Sequence, residues 1–436
     1  MMLCKPVRSP KRDTLSRKEA SENLYDYYAG FSQNFVIDII KGLNIEDDAV
    51  IMDPWNGSGT TTKVAKDMRF SAIGLDINPV MVIVAKAKLL NCTKDFKNKI
   101  VNYIDLIIKT ATIFKDEVFN FEEPLCSWLQ YDSALHFRKL ERAIHLLLVS
   151  DEYHTIYTQE SLSSISNLAA FFYLALFKTL RSFLVRYVST NPTWIKMASA
   201  KRENISPSSA EIFTELKNQV NEMVNIILSD NDIIYDHDSS PITIKRASSE
   251  LIPLPDSSID LVISSPPYCT RIDYAIATSP ELALLGCSMN KDLKNLRDSM
   301  IGTPTIIKKT HEAESNWGPT CRSFLNSVEV HNSKASKSYY YRCYVQYFNS
   351  IYKSLLEIDR VLVESAKCVI VVQDSYYKNI HNDLPSILTE MAELVDWSVV
   401  DRLNFDIKKT MANCNRETKK YRSNLSATES VLLFKK

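Results

Sequence analysis

The chain has 436 residues, with 52 Lys and Arg against 52 Asp and Glu, so it carries no formal net charge at neutral pH. Its 45% hydrophobic and 24% charged residues are globular proportions and exclude a disordered chain. The balance also excludes a chain that binds polyanions through overall charge, so any basic surface has to be local.

Residues 1–22 read as a mobile tail. Asn23 to Leu43 is an aromatic loop leading into an amphipathic helix with Phe35, Ile39 and Ile40 on one face. Val50–Asp53 is a strand, followed by Pro54-Trp55-Asn56-Gly57-Ser58-Gly59-Thr60 and a helix to about Asp67. The chain holds only eight glycines, yet Gly57, Gly59 and Gly74 fall close together, where a backbone turns tightly or nears a ligand. Strand, glycine turn and helix form a frame whose backbone N–H groups can hold the polar end of a ligand. Ser71–Asp76 is a second strand ending in an acid, placed to accept the hydroxyls of a ribose. Ile77-Asn78-Pro79 then opens a helix with proline in its first turn.

Residues 92–240 break this alternation and read as an inserted helical subdomain. Helices are expected over Lys94–Phe119, Ser133–Ser150, Ser161–Tyr187 and Ser208–Ser229, the last with a capping box of Ser208 and Glu211. Asn191 to Lys196, with Lys201 and Arg202, is the most polar and basic connection there, either a solvated loop or a nucleic-acid contact. A third strand covers Ile242–Arg246. The apolar run Ile259–Ile263 fits a strand buried on both faces of a parallel sheet. It ends in Ser264-Ser265-Pro266-Pro267-Tyr268, where two prolines stop the ladder and stiffen the loop at the edge where α/β sheets bind ligands.

Glu281 to Tyr341 reads as irregular and polar, with cations at Lys294, Arg297, Lys308 and Lys309 and three tyrosines running into Arg342. Positive charge beside rings suits nucleic acid, although a charge run is also an ordinary solvated face. Tyr344–Leu362 is a helix, Cys368–Ser375 a strand, Leu384–Leu394 a helix and Ser430–Phe434 a last strand.

Ser265-Pro266-Pro267-Tyr268 resembles the catalytic motif of the S-adenosyl-L-methionine (AdoMet)-dependent amino-methyltransferases, which methylate exocyclic amino groups of bases. Asp53-Pro54-Trp55-Asn56-Gly57-Ser58-Gly59-Thr60-Thr61 resembles that family's cofactor motif, with Trp55 in place of Phe. The resemblance covers about 23–91 and 242–436. It implies an α/β fold, a Rossmann-like methyltransferase sheet with helices on both faces, its AdoMet-binding half in 23–91 and its catalytic half in 241–436. It implies AdoMet contacts at Phe31, Asp53, Trp55, Gly57, Ser58, Gly59, Thr60, Asp76, Ile77 and Ser248, with Tyr28 and Ser32 as further candidates to cover the cofactor. In catalysis, Ser265 and the Pro266 carbonyl would accept hydrogens of the target amine, Pro267 would stiffen the loop and Tyr268 would stack on the base. Two departures stand out. Ala247-Ser248-Ser249 replaces a usual acid near the adenine, and Glu364-Ser365-Ala366 replaces a Pro-Gly-Gly turn.

The resemblance implies a site-specific methyltransferase acting on double-stranded DNA, with cytosine N4 favoured by Ser265 and adenine N6 as the alternative. An RNA base amine or an inactive binding subunit are weaker readings. A recognition insert over 281–341 would contact DNA through Arg271, Lys294, Arg297, Lys308 and Lys309, and the resemblance implies a restriction-modification or phage-defence role with a cognate restriction endonuclease or other defence-system protein as partner. The nine cysteines include no CxxC pair and no cluster with His, which points to reduced thiols, no metal and a cytoplasmic location. Cys269 reads as a packing residue. The N-terminus lacks the apolar run of a signal peptide, and the longest such run, Leu168–Phe177, is too short to span a bilayer.

Overall fold

A computed structural model describes residues 7–10, 24–25, 30–91, 94–115, 123–157, 159–189, 194–230, 240–269, 272–306, 317–407, 421 and 427–436. Arg271, Lys308, Lys309 and Tyr28 therefore lie outside the described residues.

The organising element is a seven-stranded sheet. Its strands are β1 (Val50–Asp53), β2 (Ser71–Asp76), β3 (Ile242–Arg246), β4 (Ile259–Ser264), β5 (Leu362–Gln373), β8 (Ser398–Ile407) and β9 (Ala427–Lys435), and a separate hairpin joins β6 (Ser375–Tyr377) to β7 (Ile380–Asn382). The sheet order is β3-β2-β1-β4-β5-β9-β8. The first five strands run parallel, and β9 is antiparallel to both β5 and β8. With β1 and β4 adjacent, the chain leaves one toward β2 and the other toward β5. That reversal opens a crevice at their carboxyl ends.

Strand periodicity sorts the core onto two faces. Ile51, Leu261, Ile263, Val369, Val371, Val431 and Leu433 meet α1 (Gln33–Leu43) and α2 (Thr60–Asp67) on one face. Met52, Val262, Cys368, Ile370, Leu432 and Phe434 meet α12 (Gly318–Glu329), α13 (Tyr341–Val361) and α14 (Leu384–Glu393) on the other. Cys269 is buried in this second cluster, as its packing reading expected. Residues 7–10 of the expected tail lie along α1, where Ser32 N–H donates to the Pro10 carbonyl at 2.9 Å and Arg8 pairs with Asp38 at 3.0 Å.

The helical stretch comprises α4 (Lys94–Ile113), α5 (Tyr131–Leu148), α6 (Gln159–Ser164), α7 (Asn167–Phe183) and α8 (Ser209–Asp230). These pack in one core with α3 (Pro79–Lys88), every residue of which is buried. A helix covered all round reads as apolar all round, which explains its PVMVIVA run. The single helix expected over Ser161–Tyr187 is two, because the Ser166 hydroxyl accepts from Ala169 N–H at 3.1 Å and starts α7 afresh. Among the described residues no helix is long and apolar enough to cross a membrane.

The reading of 281–341 as irregular is corrected. Its described part holds α10 (Ser279–Leu284), α11 (Lys291–Ser299), α12 and a π-helical turn over Ser336–Tyr340, preceded by the short α9 (Tyr274–Ala277). Ser288 and Asp292 start α11 by reciprocal bonds of 3.0 and 3.1 Å, and Leu293 and Leu296 bury one side of it. Cys321, Phe324, Leu325 and Val328 form the apolar stripe of α12. The strand β8 and the β6–β7 hairpin were not anticipated, and β5 and β9 run longer than expected.

Candidate cofactor and catalytic cleft

The crevice at the β1–β4 switch point is one cleft of about 970 Å³, counting space open to solvent, and both motifs line it. From the expected cofactor set it brings together Phe31, Asp53, Trp55, Gly57, Ser58, Thr60, Asp76, Ile77 and Ser248, and from the catalytic set Ser265, Pro266, Pro267 and Tyr268. Gly59 stands one layer behind. Its φ is +81°, and a Cβ there would sit 2.8 Å from Ala85 Cβ, so glycine is needed for packing against α3.

The cradle is built by backbone hydrogen bonds. Asp76, at the end of β2, accepts from Gly57 N–H at 2.9 Å on one oxygen and from Asn78 N–H at 2.8 Å on the other. The acid thereby ties the glycine turn to the start of α3. Burial pushes its carboxyl up to about 7, against the lowering effect of the two N–H donors. Asp53 is buried at the foot of the cleft and is pushed up to about 6 by the same cause, opposed by donors including Ser264. It accepts from Trp55 N–H at 3.1 Å and from the Ser264 hydroxyl, which locks the first motif to the second across β1 and β4.

The neighbouring serines at the end of β4 therefore do different work. Ser264 is fully buried and spends its hydroxyl on Asp53. Ser265 is half-buried, faces the cleft, and among the described residues its hydroxyl has no hydrogen-bond partner. The prolines differ likewise. The Pro267 carbonyl accepts from the Tyr347 hydroxyl at 3.1 Å, while among the described residues no donor reaches the Pro266 carbonyl. Tyr268 N–H donates to the Tyr274 hydroxyl at 3.3 Å, so tyrosines from α9 and α13 clamp the loop from both sides.

The Ala247–Ser249 segment lines the cleft where an acid was missing. Ala247 N–H donates to the Asp76 carbonyl at 3.1 Å, Ser248 accepts from Glu250 N–H at 3.2 Å, and Ser249 bonds Ser354 at 2.9 Å. Lining residues that sequence reading missed include Asn56, Asn78, Met81, Tyr274 and Met300. Asn78 carried a usable signal, an Asn-Pro pair, and it caps α3 by accepting from Val80 N–H at 3.1 Å.

Of the expected DNA-contacting cations that are described, Lys294 is exposed on α11, the helix whose end borders the cleft. Arg297 points inward. Its guanidinium pairs at 2.7 Å with Asp273, which caps α9 through Ile276 N–H at 3.1 Å.

The residues fit AdoMet. Trp55 Nε1 and Asn56 Nδ2, in the cradle itself, are buried donors with no partner among the described residues, and an acid with free lone pairs ends β2. The sheet order, the glycine turn and the acid define a Rossmann-like methyltransferase fold.

Known proteins point the same way. The chain is similar to the Type II methyltransferase M.AvaI of Nostoc sp., with 24% identity over 421 residues that cover 89% of this chain and 83% of that protein. It is also similar to the Type II methyltransferase M.BsoBI of Geobacillus stearothermophilus, 24% identical over 314 residues covering 66% of this chain and 56% of that protein. A shorter match, 32% identical over 108 residues, covers 24% of this chain and 20% of the Type II methyltransferase M.MjaII of Methanocaldococcus jannaschii. No protein-family model matches the chain. The methyl donor that goes with this fold and these relatives is S-adenosyl-L-methionine.

Proposed function

We propose that this chain methylates an exocyclic amino group of a base in double-stranded DNA at a specific site, with cytosine N4 the preferred target. The observation that carries the reading is the pairing of the open Ser265 hydroxyl with the open Pro266 carbonyl in the same cleft as the cradle. Bound there, AdoMet supplies an electrophilic methyl group on its sulfonium. The target amine is a weak nucleophile because its lone pair is delocalised into the ring. Two acceptors on its hydrogens pyramidalise the nitrogen and aim the lone pair. Ser265 and Pro266 are the two acceptors, and positioning does most of the work. Tyr268 stacks on the extruded base, worth roughly 1–3 kcal/mol against an extrusion cost of a few.

Cytosine is favoured because a serine stands first in the motif. The order of the motifs, cofactor first, favours adenine N6 as the alternative. Mass spectrometry of nucleosides from DNA treated with the protein and AdoMet decides it. N4-methylcytosine is the expected product, and N6-methyladenine would move the reading to the alternative.

In this reading 23–91 and 241–436 are the two halves of the catalytic domain, while at least one of the helical stretch 92–240 and the 281–341 segment supplies recognition. Lys294 serves as a phosphate contact and Arg297 holds Asp273. A cognate endonuclease is the partner such an enzyme would protect DNA against.

A further inference from the structure

We propose that a basic hollow at the end of α7 grips the sugar-phosphate backbone of duplex DNA beside the cleft. This rests on the reading that DNA is the substrate, and it identifies which part of the helical stretch meets the DNA.

The hollow is lined by Arg186, Tyr187, Lys196, Met197, Arg202 and Glu203, among others. Arg186, Lys196 and Arg202 are all exposed. The acid in the lining, Glu203, already accepts from Ser199 N–H at 2.9 Å, so three cations face one engaged carboxylate. In a chain with no net charge, such a local excess is not a by-product of general basicity.

The hollow is also held in shape. The Tyr187 hydroxyl at its floor donates to the Glu203 carbonyl at 2.7 Å and lies 3.2 Å from the Trp128 carbonyl. The Tyr187 carbonyl accepts from Lys196 N–H at 2.9 Å, and the Arg186 guanidinium lies 5.0 Å from the centre of the Tyr187 ring. Trp194 is 40% exposed and Met197 39%, so apolar surface sits beside the cations, a mixture that suits sugars and bases as well as phosphate.

Its position follows from Arg181. This residue, one turn before Arg186, donates to the Ala277 carbonyl and pairs with Glu281 at 2.7 Å. Ala277 and Glu281 belong to the segment that leaves the Ser265–Tyr268 loop. Arg181 thereby ties the end of α7, which leads into the hollow, to the segment that follows the catalytic loop.

The test compares the full chain with the triple variant Arg186→Gln, Lys196→Gln, Arg202→Gln. Binding to a duplex oligonucleotide is titrated over a salt series. A control variant carries Lys41→Gln, Lys99→Gln and Lys109→Gln, exposed cations elsewhere. The slope of log affinity against log salt should become shallower by about 0.9 for each phosphate that is no longer neutralised. The control should keep the original slope, and all three proteins should bind AdoMet equally. An unchanged slope in the triple variant, or an equal fall in the control, overturns the assignment while leaving the substrate reading intact. A full chain that binds no duplex DNA overturns the substrate reading, and this assignment with it.

Discussion

The Tyr347 hydroxyl, on α13, donates to the carbonyl of Pro267 at 3.1 Å from a site that is 1% exposed. It occupies one proline carbonyl, while among the described residues no donor reaches the adjacent one, of Pro266. Tyr347→Phe keeps the ring and removes the clamp. The expected outcome is a fall in kcat of about tenfold, equivalent to about 1.4 kcal/mol, with AdoMet affinity unchanged. Single-turnover kinetics beside a melting curve check it. A loss of melting temperature with no change in rate would make Tyr347 a packing residue only.

Under the proposed mechanism, Ser265→Ala removes an interaction that strengthens as the amine pyramidalises. It should lower the transfer rate at full AdoMet saturation while leaving cofactor affinity in place, the signature of a lost transition-state contact. Tyr268→Ala should weaken DNA affinity and rate together, and a mismatched target base should partly restore both because extrusion is then easier. Normal transfer by Ser265→Ala would remove that residue from catalysis.

Asp76 sets a pH dependence whose sign can be worked out. Its folded-state value is about 7 against an ordinary 3.8. Between those values the folded protein keeps a proton that the unfolded chain has lost. The stability of the cofactor-free protein from this group therefore falls as pH rises from about 4 to about 7 and levels off above. Ribose hydroxyls donate best to the ionised form, so AdoMet affinity should rise across the same upper limit. Calorimetric titration on either side of neutrality measures this. In Asp76→Asn the affinity should be weak and flat with pH, and a flat profile in the unaltered protein would be the contrary result.

Glu281 is fully buried, and its charge is met by Arg181 and by the Tyr25 hydroxyl at 3.1 Å. Arg181→Ala leaves a buried carboxylate without its cation and should cost about 3–5 kcal/mol in a urea denaturation series. Adding Glu281→Leu to Arg181→Ala should recover part of that loss, because the stranded charge goes with it. A cost below about 1 kcal/mol for Arg181→Ala would show that water reaches the site.

Ser365 holds φ at +67° inside the bulge where β4 pairs Ile259 with Leu362 but Leu261 with Lys367. A left-handed conformation costs an L-residue roughly 1–2 kcal/mol. Ser365→Gly should therefore stabilise the protein by about 1 kcal/mol with methyl transfer unaltered, and thermal denaturation reads it directly. A lower melting temperature would mean that the lost side chain and the looser unfolded chain outweigh the relief.

What could be read from the residues alone was local. The strands β1, β2 and β3, the glycine turn with its following helix, and the proline stop after β4 were legible because each depends on a short apolar run bounded by turn residues, on φ freedom or on a missing N–H within a few residues. The helices of 281–341 were not read from the sequence: local signals were present in Leu293 with Leu296 and the Ser288–Asp292 cap, but the polar composition masked them. Tertiary structure decided the rest. Nothing within the Ser264-Ser265 pair says which hydroxyl meets Asp53, a residue 211 positions away, and which stays open. Nor does the Pro-Pro pair say that Tyr347, 80 positions on, takes the second carbonyl and leaves the first. The carboxyl end of Asp76 belongs to the cradle only because β2 lies beside β1, which brings Gly57 N–H to its oxygen. Local chemistry is written in neighbouring residues, whereas the sharing of donors and acceptors between distant segments exists only once the sheet has set their register.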